Sequence, residues 1–245
     1  MFKNKNILIT GASSGIGLNL AKYFYKKNSN LILISKDKKK IEFIKDNISK
    51  KISPIFFDLT KFDKYESLFN TINKRYGKVD FIVHAAGVHS IDPIKITTHN
   101  NISNSIDLNL KSAVLISKYA SNRIYMSRPS SIIFISSVMS IIGEPGQVLY
   151  SASKSGLIGL TKSLAVELSR YKIRVNCLSP ASIDSPMFKR YLNKIPDNKK
   201  TEILNKHLLG IGKYQDINYL VEFLLSKKSR WITGQNIIID GGYSL

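Results

Sequence analysis

The chain is expected to fold as one α/β domain spanning residues 1–245, a doubly wound parallel sheet of about seven strands with helices on both faces. Three observations predict it. Short apolar runs recur along the sequence, and helix-sized segments separate them. Several of the runs are continuous aliphatic stretches, without the alternation of a half-exposed strand, as expected where helices cover both faces. Strand-helix-strand units of this kind build parallel sheets, with each crossover right-handed.

In chain order, "NILIT" (6–10) is the first strand, and a helix near 15–27 carries the chain back to "LILIS" (31–35). A helix near 37–49 precedes "PIFF" (54–57), and another near 61–75 precedes "DFIVH" (80–84). A long helix near 99–126 leads to "SIIFIS" (131–136), and a helix near 150–170 to "IRVNCLS" (173–179). The stretch 180–213, with Pro180, Pro186, Pro196 and Gly210, is the least regular and reads as a functional loop with short helices, a substrate lid. A helix near 214–226 and the strand "NIIID" (236–240) complete the pattern.

Composition narrows the function classes. With 43% hydrophobic and 22% charged residues, the chain has neither the profile of a disordered protein nor that of a membrane protein. The first apolar run is too brief for a signal peptide or a span, so a cytoplasmic protein is expected. Cys177 is the only cysteine, which rules out an internal disulfide and fits a reducing compartment. His84, His89, His99 and His207 form no metal-ligand pattern, and no metal is expected. The net charge of +20 invites a nucleic-acid reading. Its lysines are spread along the whole length, however, and no nucleic-acid motif accompanies them. Attraction for acidic partners remains open.

The strongest local signal follows the first strand. "TGASSGIG" sets Gly11, Gly15 and Gly17 between a buried strand and a helix, where absent side chains let phosphates approach backbone N–H groups at the positive helix end. That is a dinucleotide site by mechanism, with the spacing G-x-x-x-G-x-G. About 20 residues on, an acidic side chain holds the ribose of NAD and a basic one accommodates the extra phosphate of NADP. Ser35 and Lys36 at that point favour NADP(H); NAD(H) stays open if Asp37 serves as the acid.

"YSASK" places Tyr150 four residues before Lys154, so one helix face carries both a phenol and an ammonium. Tyr23 and Lys27 repeat the spacing in a stretch that reads as a solvated helix edge, so spacing alone decides nothing. Reducing a carbonyl with hydride creates an alkoxide-like oxygen that needs a proton donor and hydrogen bonds. Tyr150 suits the donor, with Lys154 expected to draw its pKa down from about 10 towards neutrality.

Taken together, "TGASSGIG", "DLT" (58–60), "HAAG" (84–87), "DLNL" (107–110), "SS" (136–137), "YSASK" and "IIDGG" (238–242) resemble the short-chain dehydrogenase/reductase family, in its order and nearly end to end. The resemblance implies a Rossmann-type fold and a catalytic set of Asn109, Ser137, Tyr150 and Lys154. Ser137 would bond the substrate oxygen, Lys154 would hold the nicotinamide ribose, and Asn109 would position water beside Lys154. It further implies cofactor contacts from Gly11, Ser13, Ser14, Gly15, Ile16 and Gly17, from Ser35 and Lys36, from Asp58 and Leu59 at the adenine, from Ala85, Ala86 and Gly87 at the ribose, and from the backbone of Ile183. Two departures stand out: His84-Ala85 where the family often has Asn-Asn, and Ala181 where glycine is frequent. No G-x-S-x-G elbow surrounds Ser137, against a serine hydrolase.

The layout is most similar to 3-oxoacyl-acyl-carrier-protein reductases, implying a carrier-bound or small-molecule carbonyl substrate. A basic docking surface would speed encounter with an acidic carrier, and Arg128, Arg170 and Lys172 flank strands whose other ends build the active site. Reduction of a sugar, polyol or other small ketone is the alternative, and an inactive nucleotide-sensing protein is the alternative of another class. Neither nucleic acid nor membrane is expected as a partner. Apolar residues around much of the helices near 99–126 and 150–170 imply a homodimer or homotetramer.

Overall fold

The computed structural model describes residues 1–48, 52–193 and 195–245. Among them, strands β1 (Asn6–Thr10), β2 (Asn30–Ser35), β3 (Ile52–Phe56), β4 (Val79–His84), β5 (Met126–Ile135), β6 (Ile173–Pro180) and β7 (Asn236–Ile239) form one sheet in the order β3-β2-β1-β4-β5-β6-β7. Every neighbouring pair is parallel. The helices are α1 (Gly15–Lys26), α2 (Lys38–Ile48), α3 (Tyr65–Tyr76), α4 (His99–Ile106), α5 (Ser112–Ala120), α6 (Val148–Ser169), α7 (Pro186–Leu192), α8 (Asp197–Lys206) and α9 (Tyr214–Leu225).

The continuous apolar strands are explained by two cores, one on each face. Ile7 and Ile9 of β1 pack in a layer with Leu20 and Phe24 of α1, Ile41 and Ile44 of α2, and Val221 and Leu224 of α9. Leu8, between them, belongs to the opposite layer with Leu68, Phe69 and Ile72 of α3, Ile116 of α5 and Leu157 of α6. Successive strand side chains point to opposite faces, so both must be apolar. Each fully buried Leu or Ile contributes about 1.5–3 kcal/mol.

The chain winds outward from β1 through β2 to β3, then returns to β4 on the other side of β1. That reversal opens a crevice beyond the carboxyl ends of β1 and β4, the place where doubly wound sheets bind ligands. The turns starting at Gly11 and Ala85 both lie there.

The expected long helix at 99–126 is divided. α4 gives way to a π-helical turn, Asp107–Lys111, followed by α5, which ends at Ala120. β5 begins at Met126, not at Ser131, because Val79 pairs with Met126 and its N–H donates to the Tyr125 carbonyl at 2.8 Å. The polar "SRPSS" hid that extension: Met126 pairs with Val79 and Ser131 with Phe81 across a register shift, and Ser130 pairs with Ile173 of β6, so pairing and not hydropathy makes it strand. β3 likewise starts earlier than expected, where Ile52 pairs with Leu31. The helix expected at 37–49 is α2, and residue 49 lies outside the described residues. Residues 180–213 include α7 and α8, with residue 194 outside the described residues. Among the described residues, no helix is long and apolar enough to cross a membrane.

Candidate active site

After Thr10 the chain turns through Gly11 (φ +64°) and enters α1 at Gly15 (φ +53°). Gly11 passes so close to the β4 side that a β-carbon there would stand 2.8 Å from Ala86 Cα. A β-carbon on Gly15 would instead meet nothing within 4 Å. The hydroxyl of Ser14, the N-cap, caps no N–H, and the first turn of α1 carries no acidic residue. Gly17 is buried, whereas Ser13 and Ile16 are half-buried and Ser14 is exposed. The positive end of α1 thus opens onto free space with its N–H groups uncapped, a fit for a diphosphate.

At the end of β2, Ser35 is buried and its Oγ accepts the Asp37 N–H at 3.0 Å. The Asp37 carboxylate accepts the Lys40 N–H at 3.0 Å and pairs with Lys40 Nζ at 2.9 Å. Those bonds hold Asp37 below the usual carboxylate range. Lys36 stays exposed. Burial would raise the Asp58 carboxyl, but hydrogen bonds from the Thr60 N–H (3.0 Å) and hydroxyl (2.9 Å), with the Lys36 charge, bring it below normal. Leu59 turns its side chain into the core, and its carbonyl accepts the Tyr65 hydroxyl at 2.8 Å.

The four residues singled out for chemistry converge at the carboxyl ends of β4 and β5. A β-carbon on Gly87 would stand 3.1 Å from both Asn109 Oδ1 and Lys154 Nζ, so glycine here makes room for two side chains. Asn109 is fully buried on the π-helical turn; it accepts the Val88 N–H at 2.8 Å and donates to the Val88 carbonyl at 3.0 Å and Ser153 Oγ at 2.9 Å. Such single π turns recur at functional sites, where they re-aim a side chain. Ser137 follows β5, is buried, and its Oγ accepts the Met139 N–H at 3.2 Å.

Lys154 is also buried, and its Nζ donates to the Ile135 carbonyl at 2.8 Å while standing 5.7 Å from the centre of the Tyr150 ring. Burial pulls its pKa down to about 8. The expected acidification of Tyr150 is not present: burial raises the phenol's pKa, opposed only by hydrogen bonding to Ser137. The physical reason is desolvation, which disfavours phenolate and outweighs any pull from the ammonium, itself bonded to the Ile135 carbonyl.

His84 replaces the missing asparagine with a defined chain of hydrogen bonds. Thr10 Oγ1 accepts the Ala86 N–H at 3.1 Å, which directs its own proton to His84 Nδ1 at 3.0 Å. Ser112 Oγ donates to the Leu108 carbonyl at 2.6 Å, so it accepts from His84 Nε2–H at 3.1 Å. One tautomer satisfies every partner. The fully buried ring has its pKa lowered to about 3 by burial and by the Lys154 charge, and stays neutral. It ties β1 and the Ala86 turn to the π-helical turn holding Asn109.

Two residues not singled out from sequence stand beside the phenol. The His89 ring packs edge-on against the Tyr150 ring, 4.4 Å between centres, and its Nε2 lies 2.8 Å from Gln147 Oε1. Their only sequence signal is proximity to motifs, Gln147 three before Tyr150 and His89 two after Gly87. Ile183 forms a bridge with Gly212 in which Gly212 N–H donates to Ser182 and Asp184 N–H donates to Gly212. The N–H and C=O of Ile183 itself make no hydrogen bond to the described residues. A free donor-acceptor pair on a nearly buried residue fits the carboxamide of a nicotinamide. Ala85 is half-buried and Ala86 buried beside the same crevice.

Comparison with known proteins places these features in context. The family described as enoyl-(acyl carrier protein) reductase matches residues 11–244. The 3-oxoacyl-(acyl-carrier-protein) reductase FabG of Thermotoga maritima is 32% identical over 98% of this chain and 98% of its own. Among solved structures, a short-chain dehydrogenase/reductase from Brucella melitensis, titled glucose/ribitol dehydrogenase, superposes with a TM-score of 0.92 at 27% identity, covering 100% of this chain and 98% of the other. The aldohexose dehydrogenase of Thermoplasma acidophilum superposes with a TM-score of 0.87 at 32% identity, covering 99% and 95%.

Proposed function

The chain belongs to the short-chain dehydrogenase/reductase family, and from that premise we propose that it is a cytoplasmic NADP(H)-dependent reductase converting a ketone to an alcohol, the ketone being the 3-oxo group of an acyl thioester. The observation that carries this reading is the grouping of Asn109 and Lys154 beside Gly87, with the Tyr150 ring 5.7 Å from Lys154 Nζ and its hydroxyl bonded to Ser137, at the topological switch.

The turn from Gly11 to Gly17 with the α1 N-terminus would hold the diphosphate, Asp58 the adenine end, Lys154 the nicotinamide ribose and Ile183 the carboxamide. When bound, the dinucleotide supplies the hydride. Ser137 and Tyr150 hold the carbonyl oxygen through hydrogen bonds that strengthen as negative charge develops there. Tyr150 then gives its phenolic proton to that oxygen. Burial holds the phenol in its protonated form, and the alkoxide-like oxygen that forms on the substrate is the stronger base that takes the proton. The Lys154 ammonium stabilises the phenolate left behind, and Asn109 fixes the backbone at Val88 beside it.

NADP(H) is favoured because the Asp37 carboxylate is occupied at the start of α2, while Lys36 stands exposed at the end of β2. The basic net charge of +20 suits an acidic carrier protein. Residues 180–213 serve as the lid over this site. A second reading, reduction or oxidation of a sugar, is supported by the likeness to the aldohexose dehydrogenase.

The test is NADPH oxidation with an acetoacetyl thioester against a panel of ketones and sugars. Robust thioester turnover is expected; absent thioester activity beside strong sugar turnover rejects the first reading in favour of the second. Tyr150→Phe should lower kcat by roughly 10²–10⁴-fold, the range for a positioned proton donor. A Tyr150→Phe protein as fast as the parent removes the phenol from the mechanism.

A further inference from the structure

Gln147 is 8% exposed, and it is the N-cap residue of α6, three positions before the phenol. Gln147 Oε1 receives the Nε2–H of His89 at 2.8 Å, while the amide nitrogen has no hydrogen-bond partner among the described residues and is not one of their enclosed unsatisfied atoms, so it stays accessible. Because the oxygen is occupied, the amide has N–H donors left to offer.

The pair is held from both sides. His89 follows Val88, whose backbone N–H and C=O are both bonded by Asn109 at 2.8 and 3.0 Å. Its ring rests against Tyr150, and the next turn is fastened to Gln147's own loop by the Asp92 N–H donating to the Gly146 carbonyl at 3.0 Å. Gln147 is fixed through its N–H to Glu144 at 3.2 Å and its carbonyl from the Ser151 N–H at 2.7 Å. A donor so anchored beside the proton-donating phenol is pre-organised, which is what an orienting contact requires.

Resting on the ketone-reductase reading, we propose that Gln147 is a substrate-binding residue, oriented by His89, whose N–H groups bind a second carbonyl lying two carbons from the reacting ketone. A 3-oxoacyl thioester carries that second acceptor; a monofunctional ketone does not. His89 is a positioning residue that acts through Gln147: by consuming the amide oxygen it sets which end of the amide meets the substrate. Burial and the Lys154 charge keep the imidazole neutral, against the pull of its bond to Gln147, so its remaining nitrogen, Nδ1, is an acceptor and supplies no competing donor.

The experiment compares the full-length parent with Gln147→Leu, Gln147→Glu and His89→Leu, using an acetoacetyl thioester and cyclohexanone with NADPH. Loss of one buried hydrogen bond is worth about tenfold. Gln147→Leu should therefore raise KM for the thioester about tenfold, with kcat changed less. The ratio of thioester to cyclohexanone kcat/KM should fall by about that factor. Gln147→Glu should fall further, since a carboxylate repels the carbonyl; His89→Leu should give a smaller drop in the same ratio. Equal proportional losses on both compounds would show a merely structural role and overturn the proposal.

Binding provides a readout independent of turnover. Tyr150→Phe protein saturated with NADP+ is titrated with the thioester, with and without Gln147→Leu. A dissociation constant weakened about tenfold supports the contact, and an unchanged one refutes it. Absence of any ketone turnover by the parent would instead count against the reductase reading, leaving the binding comparison to decide the role of Gln147.

Discussion

Two tyrosine-lysine pairs with identical spacing have opposite fates. Tyr23 donates its hydroxyl to Glu222, which Lys27 also pairs with at 3.0 Å, so this first pair serves to join α1 to α9. Tyr150 has no carboxylate partner among the described residues; it lies against His89, with Ser137 and Lys154 beside it. What distinguishes them is the neighbourhood, as the sequence around Tyr150 implied. His84 makes a second residue-scale case. Its folded pKa of about 3 lies below the ordinary 6.5, so the unfolded chain binds the extra proton between those values and stability falls as pH drops from about 6.5 towards 3. One such proton accounts for up to about 1.4 kcal/mol per pH unit. His84→Asn should flatten urea-derived stability against pH across that window relative to the parent. Parallel curves for the two proteins would contradict a neutral His84.

Elements turn these residues into a site. The π-helical turn at Asp107–Lys111 inserts into what hydropathy reads as one long helix, and it aims Asn109 at Val88. Periodicity cannot reveal it, because a single wide turn displaces the apolar stripe too little to register in a sequence window. Elsewhere, the junction of β2 and α2 separates two neighbouring charges: Asp37 accepts the Lys40 N–H at the start of α2, while Lys36 stays exposed. Lys36→Glu should therefore reverse the cofactor preference, with the ratio of kcat/KM for NADPH over NADH falling at least about tenfold, since a charge-assisted hydrogen bond contributes about 1.5–3 kcal/mol. A ratio unmoved by this change would assign the choice to other residues.

On the scale of the whole molecule, the two cores leave notable apolar surface outside them. Val166 on α6 is 79% exposed and Trp231, just before β7, is 89% exposed. Self-association, expected from the apolar helices, is open to direct test. Light scattering of the purified protein should give the mass of a dimer or tetramer; a 27.6 kDa particle at micromolar concentration would exclude it. Arg128 and Arg170 both stack on Tyr171, at 4.0 and 4.7 Å, and Arg128 also donates to the Ser121 carbonyl at 2.7 Å. With Lys172 they stand at the amino ends of the strands, on the opposite side from Tyr150.

The sequence by itself determined the sheet and the turn at its switch point, because buried parallel strands need unbroken apolar runs and a phosphate turn needs glycines; "NILIT" followed by "TGASSGIG" carries both facts locally. It also placed Asn109, Ser137, Tyr150 and Lys154 in motifs that the fold then brings together at the carboxyl ends of β4 and β5. Only the tertiary structure decided the protonation balance of Tyr150 and Lys154, the tautomer of His84 and the pairing of His89 with Gln147. Each of those depends on desolvation and on hydrogen-bond partners remote in the chain, such as the Ile135 carbonyl for Lys154 and Thr10 with Ser112 for His84, and no local pattern records which partners folding brings together.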